Sequence, residues 1–296
     1  MNGVVRAGWA VWRRNTTLWT GLYLAKLLLV VVVVIPVMSR VNGSIDNSLF
    51  AKPLLSEWSL DVIGEILVNH PDLFPAFVLA LVFFALIVFF AKQFANGGIY
   101  VSLYRGGMLS ARSFFGEAGA QFGGNLKITV LMIPVYIALA LVAFLIVPLV
   151  PKTLGGSFQN GALTSLAIRM ALLWVIFIPG GILSDLLRLN LAARPEIPIK
   201  QHWHEVLRLY RRRFVKLNGL YYLYFIPFVA VWLIAEKLAL VITGGLANLG
   251  GVMIELALFQ TCSWLRTGQS LLFTSTAAVV LRAEKNALMQ QSQGKD

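Results

Sequence analysis

Six stretches of this chain are apolar and long enough to cross a lipid bilayer as helices, which takes about 20 residues each. They cover approximately residues 18–38, 74–94, 126–150, 163–187, 218–243 and 250–281. Hydrophobic residues make up 58% of the chain and charged residues only 13%, which is too few charges to cover a water-facing surface. No strand-length alternation recurs, which argues against a β-barrel. The sequence therefore predicts an all-α, polytopic six-helix transmembrane bundle over 1–282 and a cytoplasmic tail over 283–296.

Basic residues are concentrated in the connections on one side of this predicted bundle. Sixteen Lys and Arg lie in segments 1–17, 95–125, 188–217 and 282–296. Three lie in segments 39–73, 151–162 and 244–249. Because basic loops remain in the cytoplasm, we expect a multi-pass protein of the bacterial inner membrane with both termini cytoplasmic. The net charge of +12 then reflects topology and attraction to membrane lipids, and we expect no nucleic-acid partner.

A glycine-led motif, GGIxxxLxR, occurs at 97–105 and again at 180–188. Each copy closes a predicted span and is followed by an amphipathic stretch and a span with an early Ile-Pro pair, at Pro134 and Pro227. Two copies in the same direction predict a parallel internal repeat about the membrane normal. Residues 3–14 and the sixth span would supply a third, split copy. The alternative is that these short pairs recur by chance in glycine-rich membrane segments.

Three amphipathic stretches on the predicted cytoplasmic side combine aromatic and basic residues. The first contains Trp9, Trp12, Arg13 and Arg14, and the second contains Arg112, Phe114, Phe115 and Phe122. The third places Trp203, Leu207, Tyr210 and Phe214 on one helical face, beside Arg208, Arg211, Arg212 and Arg213. Such helices lie at the membrane interface with their basic side towards lipid phosphates. We interpret them as elbows that set the tilt of the following span, or else as surfaces that recognise lipid head groups or a partner.

Several charged and polar side chains fall inside the predicted spans, where ionisable groups are functional candidates. Those near the outer boundary are Arg169, Glu236, Lys237 and Glu255. Those on the inner half are Lys26, Asp185, Arg188 and Arg266, with Gln269 among the polar residues of the sixth span. We expect an Asp185–Arg266 ion pair, and any polar pathway would be lined by the sixth span. The alternative role for these charges is to hold helices together by mutual neutralisation.

The sequence carries little that indicates catalysis. His202 and His204 are separated by one residue and so point to different helix faces, which argues against a metal site. No phosphate-binding glycine loop or nucleophile motif occurs, and the single cysteine, Cys262, cannot form an internal disulfide. We expect no metal, no cofactor and no enzymatic activity. A lipid-modifying enzyme is a third alternative, with Asp185 and Arg188 as its weak acid–base candidate.

The repeated arrangement GGI…R…FF, with amphipathic helices between spans, resembles bacterial six-helix membrane families of unknown function. One of these is the membrane domain associated with glycerophosphodiester phosphodiesterases. The resemblance covers about 90–280 and implies an inner-membrane location. It does not imply phosphodiesterase activity, because catalysis in that family belongs to a separate soluble domain.

The sequence leaves two main interpretations of function. The first is a non-catalytic membrane subunit or scaffold that packs with other membrane proteins. The second is a transporter or lipid-handling protein with a cavity between the repeats. A transporter requires polar side chains around a cavity near the midplane, whereas a scaffold has a packed centre.

Overall fold

The computed structural model describes residues 2–45, 73–150, 158–243 and 249–293, and the described residues form helices joined by short turns. The helices are α1 (Asn2–Arg14), α2 (Thr16–Ile45), α3 (Leu73–Arg105), α4 (Ala111–Ile146), α5 (Phe158–Ala193), α6 (Ile199–Arg212), α7 (Phe214–Thr243) and α8 (Leu249–Gln293). A short 3-10 helix, Val147–Leu149, extends α4. The predicted all-α class is confirmed for these residues.

Four helical segments are long and apolar enough to cross a membrane, namely Leu81–Arg105, Ala111–Leu149, Thr164–Ala193 and Phe214–Ala235. Gly3–Arg14 and Thr16–Val32 meet at a 60° bend and would make a fifth if the pair counts as one span. The chain is therefore a helical protein with the features of a membrane protein. The described residues thus contain four such segments, or five with the bent pair, and the predicted count of six is not confirmed.

The chain divides into two compact units. One contains residues 1–20 and 94–296, and the other contains 21–93. In the second unit most of the described side chains are apolar and exposed, among them Leu24, Leu28, Leu79, Val82 and Phe83. Exposed side chains of this kind suit contact with lipid, which is as apolar as they are. The first unit holds the packed core and both polar clusters described below.

Helix α5 lies at the centre of the first unit, in contact with α4, α6, α7 and α8. Its buried leucines, such as Leu186 and Leu187, pack with Phe273 of α8, Leu217 of α7 and Val206 of α6. Small residues let the helices approach closely. A Cβ added at Gly97 of α3 would lie 2.8 Å from the Cα of Ala118 in α4. Close backbone approach is the main source of helix–helix attraction in a membrane, where lipid competes equally for apolar side chains.

Helix α1 packs against α8, and a Cβ added at Gly8 would lie 2.8 Å from the Cα of Thr276 in α8. Trp12 Nε1 donates to the carbonyl oxygen of Gly268 over 2.8 Å, which anchors the predicted first amphipathic stretch to protein. Asn15 sits at the bend between α1 and α2, where its side-chain oxygen accepts from Ser102 Oγ over 2.7 Å. The bend is therefore fixed by a buried side-chain hydrogen bond.

Helix α6 buries in the protein a side that differs from its predicted apolar face. The large apolar side chains at 203, 207, 210 and 214 predict one apolar helical face at the membrane interface, and the side that α6 buries in the protein consists of His202, Val206, Leu209 and Tyr210. Trp203 and Leu207 are only half-buried, and Phe214 is exposed. This buried side lies about one residue of rotation away from the predicted apolar face, and it includes His202, a polar residue that the core accepts through a hydrogen bond.

The second predicted amphipathic stretch is not a separate helix. Helix α4 begins at the N-cap Ser110, whose side chain accepts from the backbone N–H of Ser113, and continues without a break to Ile146. Phe114 packs against Gly98, and Phe122 lies 6.5 Å from Phe94 between ring centroids. The stretch is thus the first part of an apolar helix, held against the end of α3.

Candidate functional site

Helix α5 carries two polar clusters, one after the other along its second half. The first, called here the inner centre, consists of Tyr100, Thr129, Asp185 and Arg188. The second, called the junction centre, consists of Asn190, Arg194, His202, Glu205 and Lys285 and joins the end of α5 to α6 and α8.

The inner centre is a charged pair of residues held by neutral partners. Tyr100 Oη donates to Asp185 Oδ1 over 2.5 Å, and Arg188 Nη2 donates to Thr129 Oγ1 over 3.2 Å. The Arg188 guanidinium carbon lies 6.0 Å from the centroid of the Tyr100 ring, a weak cation–π contact. Asp185 and Arg188 are three residues apart on a helix and therefore neighbours. The centre ties α3, α4 and α5 together with one acid and one base.

A stripe of amides lies beside the inner centre. Gln121, Asn125 and Thr129 follow each other at four-residue intervals on one face of α4, and Asn96 is one turn before Tyr100 on α3. The side chain of Asn125 is 1% exposed, yet neither of its polar atoms has a hydrogen-bond partner among the described residues. Gln121 Oε1 and Asn96 Nδ2 are likewise buried and unpaired within the described chain. Buried unpaired amides are costly, which makes this stripe a candidate for contact with a polar ligand or water.

Arg266 lies in an aromatic cage. Its guanidinium carbon lies 5.9, 5.2 and 5.5 Å from the ring centroids of Trp174, Phe225 and Phe228. It also donates to Gln269 one turn along α8. The structure places Tyr100 beside Asp185 and aromatic rings beside Arg266, and the Asp185–Arg266 ion pair stays a prediction. Rings at these distances stabilise the positive charge of the guanidinium through cation–π contacts.

The junction centre is built around the buried side chain of Asn190. Its Nδ2 donates to His202 Nδ1 over 2.9 Å and to Glu205 Oε2 over 3.2 Å. Arg194 also donates to Glu205, and the two side chains are 36% and 34% exposed, so this pair forms the solvent-facing edge. The fifth member, Lys285 of α8, has its Nζ 5.6 Å from the centroid of the Tyr104 ring.

The hydrogen bond from Asn190 assigns the proton of His202. Because Nδ1 accepts, the neutral imidazole carries its hydrogen on Nε2. Burial lowers the pKa of His202, which keeps the ring neutral at physiological pH. Burial, together with the nearby charge of Arg194, lowers the pKa of Lys285 to about 8, so this ammonium group still carries its charge at neutral pH. The junction centre therefore combines a neutral histidine with two cations and one carboxylate.

The remaining predicted site residues occupy separate places. Arg169 Nη2 donates to the carbonyl oxygen of Val150 over 2.7 Å, and the side chains of Lys237 and Lys26 are exposed. The side chains of Glu236 and Glu255 lie outside the described residues.

The basic residues assigned to lipid head groups lie mostly at the surface. Arg13, Arg14, Arg208 and Arg211 are exposed. Arg212 and Arg213 face Glu284 of α8 at 3.9 and 3.2 Å. The tryptophans of α1 belong to a row of four rings that extends to α8. The centroids of Trp9, Trp12, Trp19 and Trp264 are separated in turn by 4.8, 5.2 and 4.1 Å.

Sequence reasoning missed the junction centre. His202 was considered only as a metal ligand, and within the described ranges no group of three or more His, Cys, Asp or Glu is arranged to hold a metal ion. The available signal was a periodic one, because positions 202, 206 and 209 share a helical face, which places His202 in line with two apolar residues. Nothing in the sequence pairs Asn190 or Lys285 with that face.

No protein family, curated protein or solved structure matches this chain.

Proposed function

We propose that this protein is a non-catalytic integral subunit or scaffold of the bacterial inner membrane that packs with other membrane proteins. Six crossings with both termini cytoplasmic, and a distant relationship to the six-helix membrane families named above, are part of the same proposal. The observation that carries it is the packing of α8, the helix that would line a transport pathway.

Three consecutive hydroxyl side chains of α8 donate to the backbone of their own helix. Thr274, Ser275 and Thr276 donate to the carbonyl oxygens four residues earlier, at 3.0, 2.7 and 2.9 Å. All three are at most 3% exposed, and the adjacent Phe273 belongs to the apolar core. Hydroxyls that are satisfied in this way need neither water nor ligand. This pattern favours a packed centre over a wet cavity along α8.

The packing order of the helices supports the proposed repeat. Helix α5 packs on α4, the second helix of the preceding copy, and α8 packs on α7 in the corresponding manner. Likewise α5 packs on the amphipathic helix α6, and α8 packs on α1. This order fits a circularly permuted, threefold arrangement in which the chain ends form the third copy.

Cysteine accessibility provides the test. In a Cys262→Ser background, Ser275→Cys is treated with a water-soluble maleimide in opened membrane vesicles, and Ala283→Cys, an exposed position on the same helix, is the matched control. A packed α8 leaves Ser275→Cys unmodified until the protein is denatured, whereas Ala283→Cys reacts at once. Rapid reaction of Ser275→Cys would instead favour a water-filled pathway.

The second candidate function, a transporter or lipid-handling protein, is favoured by the amide stripe. Asn96, Gln121 and Asn125 present buried polar atoms without described partners, and a file of water or a polar solute would satisfy them. Asn125→Cys in the same assay distinguishes the candidates, because a wet stripe makes this position reactive while Ser275→Cys stays protected.

A further inference from the structure

The junction centre contains more hydrogen-bond donors than acceptors. The side-chain atoms His202 Nε2, Arg194 Nε and Lys285 Nζ are buried, and each lacks a hydrogen-bond partner among the described residues. His202 itself is 0% exposed. On the acceptor side, Asn190 Oδ1 is buried and has no hydrogen-bond donor among the described residues. Three unfilled donors against one unfilled acceptor call for a ligand that accepts several hydrogen bonds.

The charges of the junction centre also favour a ligand that accepts hydrogen bonds, and one that is anionic. Lys285 and Arg194 are both cationic, while the carboxylate of Glu205 already accepts from Asn190, Arg194 and Gln201. An oxyanion offers several acceptor atoms and balances the remaining positive charge. Arginine and lysine together are the side chains that proteins use to hold phosphate.

We propose that the junction centre binds a phosphate-type anion, in which Lys285 and Arg194 supply charge and His202 Nε2–H donates a hydrogen bond. Entry is from the side of Arg194 and Glu205, whose side chains are about one-third exposed. A phosphate monoester of this kind is found both on free metabolites and on lipid head groups, and the chemistry at the site is the same. The proposal goes beyond the subunit or scaffold role and does not depend on it.

Histidine NMR provides the direct test, since the chain has three histidines. The full chain, labelled with ¹⁵N-histidine and purified in nanodiscs of phosphatidylcholine, is titrated with glycerol phosphate, and sodium chloride of equal ionic strength is the reference. We expect the Nε2 signal of His202 to shift with glycerol phosphate and to stay in place with sodium chloride. Lys285→Met should weaken this binding by about tenfold or more, the loss of one charge-assisted hydrogen bond. Lys200→Met, which removes an exposed cation from the start of α6, should leave it unchanged.

A second arm distinguishes the two sources of the phosphate. Nanodiscs that also contain phosphatidic acid, whose head group is a phosphate monoester, are compared with phosphatidylcholine alone. If the ligand is a lipid, the His202 signal shifts with phosphatidic acid and glycerol phosphate has little effect. If the ligand is soluble, the order is reversed.

Two results would overturn the proposal. One is a His202 signal that responds to neither probe, which would leave ordered water as the partner of these donors. The other is equal binding by the wild type and Lys285→Met. If Lys285→Met does not fold, Lys285→Arg is measured instead. This variant keeps the positive charge, so it must keep the wild-type response to the probe, and loss of that response would overturn the proposal.

Discussion

The two GGIxxxLxR motifs, at 97–105 and 180–188, use the same residue types to pack similar helix faces. Ile99 and Ile182 are both buried, and Leu103 and Leu186 are both 0% exposed. The apolar positions therefore behave alike in the two copies. Their spacing of four residues decides which face of the helix turns inward, whatever the neighbour is.

The glycines and polar residues of the two motifs differ in their surroundings. Gly97 faces the backbone of α4, whereas Gly180 faces the side chains of Tyr136 and Leu139. Arg105 is exposed and pairs with Glu117, whereas Arg188 is 9% exposed. A short motif thus fixes helix orientation, but the burial of its charges is decided by the helices packed beside it.

The largest difference in the loss of stability between the two copies is expected for alanine substitutions at the corresponding positions Asp185 and Ser102. Asp185→Ala removes the acceptor of Tyr100 Oη and leaves Arg188 without its neighbouring carboxylate, which costs about 3–5 kcal/mol in a buried setting. Ser102→Ala removes a hydroxyl whose hydrogen is shared between Asn15 Oδ1 and the carbonyl oxygen of Gly107, a neutral interaction worth about 1 kcal/mol. Unfolding of the purified protein by titration with a denaturing detergent measures both free energies.

Tyr100→Phe is the control for this prediction. It keeps the carboxylate and removes only the hydroxyl donor, so its loss should lie between those of the other two variants. Equal losses for Asp185→Ala and Ser102→Ala would show that the inner centre is not a charged cluster.

A smaller difference in the loss of stability is expected between substitutions of the leading glycines, Gly97 and Gly180. A Cβ at Gly97 would lie 2.8–2.9 Å from backbone atoms of Ala118 and Glu117, which cannot move alone. A Cβ at Gly180 would lie 2.8–2.9 Å from the ends of Leu139 and Tyr136, which can rotate. We expect Gly97→Ala to destabilise by about 1–3 kcal/mol and Gly180→Ala by less. The midpoint of thermal unfolding in detergent micelles measures this order.

Gly181→Ala provides the reference for the glycine series, since no atom lies within 4 Å of its added Cβ. It should be neutral or slightly stabilising, because alanine favours a helix more than glycine does. If Gly180→Ala destabilises the protein more than Gly97→Ala does, the backbone of α4 does not pack closely against Gly97 of α3.

The sequence predicted the helical class and most of the apolar helices because these depend on local composition. The long apolar runs in α4, α5 and α7 have few other ways to satisfy their backbone groups in lipid. The position of Asp185 in a buried centre was also predictable from its place in a span. Its partner Tyr100 was not, since that contact joins residues 85 positions apart.

The junction centre shows the same limit more clearly. The aromatic residues of α6 suggested an apolar face that excludes His202, and the face that the protein buries lies about one residue away from it. The burial of His202 depends on Asn190, which lies on another helix. Single-sequence patterns contain the period of a helix but not the polar partner that makes a histidine acceptable inside.

The smallest effect in the comparison is expected at Arg105. Its Nη2 lies 2.6 Å from Glu117 Oε1, but the two side chains are 57% and 27% exposed. An exposed pair of this kind contributes less than about 1 kcal/mol, and salt weakens it further. Arg105→Ala should therefore lower stability slightly at low salt and hardly at all at high salt. Arg188→Ala should lower it more, by an amount that salt does not change, because that guanidinium is buried. Parallel salt series of unfolding free energies for the two variants test this contrast, and it fails if both losses shrink together as salt is added.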